Sequence, residues 1–239
     1  MKQRKTQTTT DSMTSNDDRR YLLRLISEGE HQQQDFKYKV QDAVKLARSV
    51  SAFANTDGGR LLIGVRDDGH LSGVRSEEEI YMMHQAAYRY CRPEASIRFD
   101  TYRVAAEHHS AGGARGSALR TIVVATVPRS DRRPVMALDT DGRQRAYVRI
   151  ADENIVASPV HLAIWRDELA AHGATFTYGD DERRLMAAMS TDEAVTLNQV
   201  VRRSRLPRHK VILLLSRMVR YGLVAMHHAA TQFLFQLVR

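Results

Sequence analysis

Apolar residues recur at two different spacings along the chain, and the spacing separates helices from strands. Between Gln41 and Asn55 they come every three or four residues, which predicts an amphipathic helix. Gly58 and Gly59 follow it, and glycine supplies the positive φ with which many helices end. The next apolar run, Arg60–Val65, is short and continuous, which is typical of a buried strand. Before the helix, apolar and polar residues alternate over Phe36–Val40, which predicts a strand with one buried face.

Further strands and helices follow along the chain, and they set the predicted fold class. A helix is predicted over Ser76–Cys91, with a capping box at Ser76, and another over Ser158–Ala171. Four runs have strand character: Ile97–Val104, Leu119–Val127, Val135–Leu138 and Ala146–Ile150. A hairpin tip is predicted at His108–Gly116. Because strands and helices are mixed, with several antiparallel connections, we expect an α+β domain over residues 19–170. A polar, disordered tail is predicted over residues 1–18 and a linker over 171–182.

The last quarter of the chain has the pattern of a small DNA-binding domain. Leu185, Met186 and Met189 mark a first helix, and the capping box Thr196–Gln199 opens a second. Pro207 stands where the first position of a third helix is expected. Two short strands, Leu223–His227 and Gln232–Leu237, form a hairpin after that helix. This order predicts a winged helix-turn-helix over residues 183–239.

The positive charge is concentrated in the same quarter. The chain has a net charge of +8, and residues 183–239 contain ten basic and two acidic residues. Residues 1–182 contain 26 basic and 26 acidic residues and are neutral. Clustered positive charge indicates a phosphate-rich partner, so we predict DNA, with RNA as the alternative. The predicted contact residues are Arg203, Arg205, Arg208, His209, Lys210, Arg217 and Arg220, with Lys37 from the larger domain.

Composition indicates the cellular compartment in which the protein is expected. Cys91 is the only cysteine, so an internal disulfide is excluded. The N-terminus has no apolar segment of the kind that secretory signals contain, and no apolar run reaches the roughly 18 residues that a membrane span needs. We therefore expect a cytoplasmic protein without a membrane partner.

One long segment resembles a known family. The string Ser51–Val74, preceded by the element Glu30-x4-Asp35-Phe36-Lys37, resembles the Schlafen AlbA-type domain, which is also called the divergent AAA group. The resemblance extends over residues 26–158. It implies a mixed sheet with flanking helices. Bacterial relatives commonly join this domain to a C-terminal helix-turn-helix, which matches the pattern found independently here.

The resemblance also implies an enzymatic alternative. Family members that cut tRNA use three carboxylates around a divalent ion, Mg²⁺ or Mn²⁺, and the matching positions here are Glu30, Asp35 and Asp67. The five-residue separation of Glu30 and Asp35 requires a turn between them. Asp35 departs from the nuclease pattern, which has glutamate at this position. The older family label implies ATP binding, although the chain lacks the G-x4-G-K-[ST] phosphate loop.

The sequence therefore supports one leading hypothesis and three alternatives. The leading hypothesis is a DNA-binding transcriptional regulator, a homodimer in which the AlbA-like domain senses a signal or oligomerises. The alternatives are a metal-dependent endoribonuclease acting on tRNA-like RNA, an ATP-binding protein, and a protein-interaction module that neither binds nor cleaves nucleic acid.

Overall fold

The chain divides into two compact units. The computed structural model describes residues 6–105, 119–169, 178–189 and 192–238, and side chains from residue 16 onward. The first unit contains residues 1–131 and 135–156, and the second contains residues 132–134 and 157–239. Each unit has its own hydrophobic core.

The described part of the first unit is a mixed α+β structure with two sheets, which confirms the predicted class. Its helices are α1 (Thr6–Ser27), α2 (Ala43–Asn55) and α3 (Ser76–His84), the last followed by a π-helical turn (Gln85–Arg89). Its strands are β1 (Gln34–Lys37), β2 (Gly59–Ile63), β3 (Cys91–Arg92), β4 (Arg98–Ala105), β5 (Leu119–Val127), β6 (Met136–Leu138), β7 (Gln144–Ile150) and β8 (Glu153–Val156).

The two sheets of this unit differ in their pairing. The first has the order β1-β2-β5-β4, in which β1 and β2 are parallel and the other pairs are antiparallel. The second has the order β3-β6-β7-β8 and is antiparallel throughout. A parallel pair needs a crossover between its strands, and α2 supplies that crossover between β1 and β2.

Helices cover both faces of the first sheet, because its strands alternate. Leu61 and Ile63 of β2 belong to the core cluster that contains α2, whereas Leu62 between them belongs to the cluster that contains Leu22 and Leu25 of α1. Successive side chains of a strand point to opposite faces, so a continuous apolar run fits a sheet that is buried on both sides.

The glycine pair after α2 has two separate functions. Gly58 has φ +72° and donates its backbone N–H to the carbonyl of Phe53 at 3.0 Å, which confirms the predicted helix end. At Gly59, a Cβ atom would lie 2.3 Å from the Phe53 ring. Only glycine therefore lets β2 start this close to α2.

A buried amide joins α2 to the second sheet. Asn55 is 2% exposed, and its side-chain Nδ2 donates to the carbonyls of Val135 at 2.9 Å and Tyr147 at 3.0 Å. Its Oδ1 accepts the Val135 N–H at 2.7 Å. Ser51, one turn earlier, donates to the Val135 carbonyl and accepts the Tyr147 N–H. The end of α2 thus satisfies backbone groups on the strand β7 and just before β6.

Within its described residues, the second unit combines four helices with a three-stranded sheet. The elements are α4 (Pro159–Leu169), α5 (Asp180–Ala188), β9 (Val195–Thr196), α6 (Leu197–Ser204), α7 (Arg208–Arg220), β10 (Val224–Ala229) and β11 (Gln232–Leu237). The sheet has the order β10-β11-β9 and is antiparallel. The predicted capping box of α6 is confirmed, since Thr196 Oγ1 accepts the Gln199 N–H at 3.2 Å and Gln199 Oε1 accepts the Thr196 N–H at 2.7 Å.

Several details differ from the sequence-based expectation. The division between the units falls at residue 157, not 171, because α4 packs on α7. Residues 6–18, expected to be disordered, continue the helix that Leu22 and Leu25 anchor, since helix formation is cooperative. The predicted capping box at Ser76 is wrong, because Arg75 is the N-cap and makes no side-chain hydrogen bond. The strands β3, β8 and β9 were not predicted, and the expected hairpin tip at 108–116 lies outside the described residues.

The Asn55→Ala substitution should destabilise the first unit by about 3 kcal/mol, because it leaves buried backbone groups of the second sheet without partners. Urea unfolding followed by far-UV circular dichroism measures this change. Asn16→Ala, on the exposed side of α1, is the matched control and should leave the midpoint unchanged. Equal midpoints for both variants would contradict a structural role for the Asn55 amide.

The stability of the second unit should fall in mild acid because of His161. Burial lowers the pKa of His161 to about 4, so the folded unit holds a neutral ring that the unfolded chain protonates near pH 6.5. The stabilisation is therefore present above pH 6.5 and is lost as the pH falls towards 4, with an expected size of about 1–3 kcal/mol. Trp165, the only tryptophan, is buried in this unit and reports its unfolding by fluorescence.

The control for this prediction keeps an aromatic ring at position 161 and removes the titratable imidazole. In His161→Phe, the urea midpoint followed by Trp165 fluorescence should change less between pH 7.5 and pH 4.5 than in the wild type. His209→Gln, on the exposed surface of α7, should behave like the wild type. A full pH dependence in His161→Phe would show that another group is responsible.

Candidate functional site

The side of α7 that faces away from the core is basic. Val211, Leu215 and Met218 are buried in the core of the second unit. His209 and Arg217 are exposed and lie eight residues apart, so they fall on one side of the helix, with exposed Leu213 between them. The structure therefore presents a continuous strip of exposed side chains along α7, which we call the α7 strip (His209, Leu213 and Arg217).

Arg205 extends this surface from the turn before α7. It has the left-handed conformation at φ 55°, which an ordinary residue adopts at a cost of about 1–2 kcal/mol. The turn is anchored by Leu206, which is 6% exposed and donates its N–H to Ser204 Oγ at 3.3 Å. Leu206 is buried, whereas the Arg205 side chain before it is exposed to solvent.

Some of the predicted contact residues already have a side-chain partner within the chain, and others do not. Lys210 Nζ pairs with the carboxylate of Asp181, Arg220 lies 3.9 Å from Asp167 Oδ2, and Arg208 donates to Asn198 Oδ1 at 2.6 Å. The side chains of the others are exposed and have no partner among the described residues: Arg203, Arg205, His209 and Arg217. Exposed ion pairs contribute little stability, so the engaged side chains can also exchange their partners for phosphate.

The first turn of α7 also favours an anion. Pro207 is the N-cap and no side chain caps the helix. The free N–H groups and the aligned peptide dipoles give a helix N-terminus a partial positive charge. Arg208 and His209 lie in this turn, so fixed dipoles and side-chain charge act in the same place.

In the first unit, a tight turn brings Glu30 and Asp35 together, as the sequence required. Reciprocal backbone hydrogen bonds between His31 and Gln34, at 3.0 and 3.1 Å, fold the chain back. Glu30 Oε1 then accepts the Phe36 N–H at 2.8 Å. Partial desolvation and the neighbouring Asp35 raise the pKa of Glu30. We call Glu30 and Asp35 the carboxylate pair.

Both oxygens of Asp35 face positive side chains. Lys37 Nζ lies 2.7 Å from Oδ2, and Arg149 Nη2 lies 3.4 Å from Oδ1. Arg149 is 1% exposed and is held by Asn154 Oδ1 at 3.0 Å, the Gln34 carbonyl at 3.3 Å and the Phe53 ring at 5.2 Å. Lys37, predicted as a nucleic-acid contact, therefore points at Asp35.

The third predicted carboxylate does not complete a metal site. Asp67 is exposed in the turn that follows β2, where the Gly69 N–H bonds to the Arg66 carbonyl at 2.8 Å. No group of three or more His, Cys, Asp or Glu side chains within the described residues is arranged to hold a metal ion. Around Asp35, Lys37 and Arg149 lie against the two carboxylate oxygens.

Sequence reasoning missed Arg149. It lies in the predicted strand Ala146–Ile150, two residues from buried Tyr147, and thus on the same face of the strand. An arginine at an inward position of a buried strand needs a compensating carboxylate. That signal could have pointed to a buried partner, but not to Asp35 in particular.

A family model matches most of the first unit. The family model described as "Schlafen, AlbA_2" matches residues 30–158, which is more than half of the chain. The chain belongs to the Schlafen AlbA_2 family. The AlbA_2 match begins at Glu30 and includes both members of the carboxylate pair and Arg149. Membership in this family indicates a function connected with nucleic acids.

Other comparisons add little to the AlbA_2 assignment. The chain is similar to the DIP2311 protein from Corynebacterium diphtheriae, with 19% identity and a TM-score of 0.41 over 86% of this chain. The similarity covers 34% of that protein, so the chain spans about a third of its length. No curated protein matches. Among the described helices, none is long and apolar enough to cross a membrane.

Substitution of Arg149 should lower the stability of the AlbA_2 unit, whereas removal of metal ions should not. Arg149→Met leaves the buried carboxylate of Asp35 with one cation fewer, and we expect a loss of about 3–5 kcal/mol in the free energy of unfolding. Chelation by EDTA should leave the unfolding midpoint unchanged, as should addition of Mn²⁺. A midpoint that rises with Mn²⁺ in the wild type and not in Asp35→Asn would show instead that the carboxylate pair binds a metal.

Proposed function

We propose that the second unit is a winged helix-turn-helix that binds duplex DNA and that the chain is a transcriptional regulator. The order α5, β9, α6, α7, β10, β11 supports this proposal, because a winged helix-turn-helix has three helices followed by a hairpin. In this proposal α7 is the recognition helix, and the hairpin of β10 and β11 is the wing, with Ala230 at φ 54° in its turn.

The observation on which the proposal rests is the set of exposed, unpaired basic side chains on and beside α7. Arg217 belongs to the α7 strip and Arg205 lies beside it, and neither has a partner among the described residues. The second unit, counted over 132–134 and 157–239, contains 13 basic and 7 acidic residues, a net charge of +6. This net positive charge is smaller than the +8 of residues 183–239, because the unit also includes the acidic residues of α4 and α5. It still exceeds the +2 of the first unit.

The chemistry of the α7 strip suits a major groove. Arg217 can donate two hydrogen bonds to a guanine, and exposed Leu213 can contact a thymine methyl group. Arg203 and Arg205 lie at the end of α6 and in the turn, where phosphate contacts set the register of the helix. His227 is exposed on β10 and can approach the DNA backbone from the wing, whereas His228 packs on Phe233.

The AlbA_2 unit would then sense a signal or oligomerise. A homodimer would match two half-sites on DNA, as most helix-turn-helix regulators do. The endoribonuclease alternative is not proposed, since both oxygens of Asp35 face cations. Light scattering of the full chain, alone and with duplex DNA, measures the stoichiometry.

DNA binding should depend on Arg205 and Arg217. The variant Arg205→Glu/Arg217→Glu should bind duplex DNA at least about 100-fold more weakly than the wild type at 0.1 M salt, because two phosphate or base contacts are lost and two repulsive charges appear. The slope of log K against log salt should also decrease in magnitude by about 2. Fluorescence anisotropy with a labelled duplex measures both quantities.

A matched control separates local contacts from net charge. Arg98→Glu/Arg143→Glu changes the same number of charges on exposed arginines of the first unit. This control should bind DNA within a few-fold of the wild type. If both double variants lose affinity equally, general charge and not the α7 surface governs binding, and the proposal is wrong.

A further inference from the structure

A small open pocket lies in the second unit, between the start of α4, the start of α6, the first residue of α7 and the strand β11. Its volume is about 220 Å³. Sites for drug-sized ligands have volumes of about 300–1,000 Å³, so a ligand of this pocket must be small. All residues that line the pocket belong to the second unit. We call it the Arg208 pocket.

The surface of the Arg208 pocket is mainly apolar. Pro159 is exposed, and Leu197 and Phe233 are half-buried, so a ligand can contact all three side chains. The ring of Phe233 already packs edge to face on the imidazole of His161, with 4.8 Å between the ring centroids. Aromatic rings favour such pairs, so an aromatic ligand would find a suitable partner in Phe233.

Among the described residues that line the pocket, Arg208 has the only charged side chain. It is exposed, and its Nη1 donates to Asn198 Oδ1 at 2.6 Å, which orients the guanidinium group. The other N–H groups of Arg208 and the Nδ2 of Asn198 have no partner in the described part of the chain. The pocket therefore offers a single positive charge and several N–H donors beside an apolar surface.

This combination favours a singly charged carboxylate over other ligands. The planar guanidinium group can donate two parallel N–H bonds to a carboxylate, and one arginine balances its single charge. A phosphate group carries close to two charges at neutral pH, and the pocket supplies one cation next to apolar side chains. A free amino acid does not fit, because the described lining has no carboxylate for its ammonium group.

We propose that the Arg208 pocket binds a small aromatic monocarboxylate, and that the bound ligand weakens DNA binding by the second unit. The carboxylate pairs with Arg208 and accepts a hydrogen bond from Asn198 Nδ2. The ring packs on Pro159, Leu197 and Phe233. Such a ligand supplies both the charge and the apolar surface that the pocket can match.

The effect on DNA rests on the proposed function, in which α7 is the recognition helix. Arg208 is the first residue of α7, and residues at the start of a recognition helix are those that reach DNA. A carboxylate that pairs with Arg208 neutralises a charge that would otherwise contact DNA. The ligand and the DNA therefore compete for one side chain.

Titration of the full chain with benzoate, followed by amide chemical shifts in NMR spectra, tests the pocket without DNA. Benzoate should bind at least about 10-fold more tightly than benzamide, which lacks the charge, or acetate, which lacks the ring. Arg208→Met should weaken benzoate binding at least about 10-fold, and it should fold normally because Arg208 is exposed. Arg166→Met changes an exposed arginine of α4 outside the lining and should bind benzoate as the wild type does.

The pocket assignment is wrong if benzoate does not bind at millimolar concentration. It is also wrong if benzamide or acetate binds as tightly as benzoate, or if benzoate binding survives Arg208→Met.

Fluorescence anisotropy with a labelled duplex tests the effect on DNA binding. At constant ionic strength, saturating benzoate should weaken DNA binding by the wild type at least about 3-fold, because one contact is lost, whereas benzamide should have no effect. Arg208→Met should bind DNA more weakly than the wild type, and benzoate should not weaken it further. An unchanged DNA affinity with benzoate bound would overturn the regulatory effect. A wild type that does not bind DNA even without benzoate would instead contradict the proposed function, while the NMR titration still decides whether the pocket binds the carboxylate.

Discussion

The position of α2 between two sheets is the constraint on which the first unit depends. A helix in this position must be buried on most sides, yet the strand β7 and the backbone before β6 present N–H and carbonyl groups to it. An unpaired backbone group in such a core costs as much as a lost hydrogen bond. Ser51 and Asn55 solve this problem, because their short polar side chains satisfy the backbone of Val135 and Tyr147 inside an otherwise apolar contact.

The same contact positions the charged centre of the unit. Thr56, the residue after α2, accepts the backbone N–H of Arg149 at 2.9 Å, so the end of the helix also holds the last part of β7. With β7 held, the Arg149 guanidinium reaches Asp35 on β1 and packs on Phe53 of α2. In this chain Asp35 is therefore part of the folded core, with two cations against its carboxylate, whereas Glu30 beside it is exposed.

The two units offer different chemistry to a nucleic-acid partner. The second unit presents the α7 strip and Arg205 on an exposed surface, where contacts are shallow and depend strongly on salt. The AlbA_2 unit instead has an open polar pocket of mixed charge, lined by Lys39, Arg75, Glu78, Glu79 and Arg120. An exposed basic surface suits a long polyanion.

Features that depend on neighbours in the chain could be read from the sequence. The capping box at Thr196, the helix end at Gly58 and the turn between Glu30 and Asp35 all involve residues a few positions apart. The alternation over Phe36–Val40 misled, because β1 is Gln34–Lys37 and its first three residues are all buried. The family motif and the α+β class follow from the same local patterns.

Features that depend on which surfaces meet were settled only by the tertiary structure. The assignment of α4 to the second unit follows from its packing on α7, and Arg149 finds Asp35 across 114 positions of the chain. Likewise, Glu79 and Arg120 line one cavity only because α3 lies beside the start of β5. No local pattern specifies such partners, because burial and the pairing of charges are properties of the closed core.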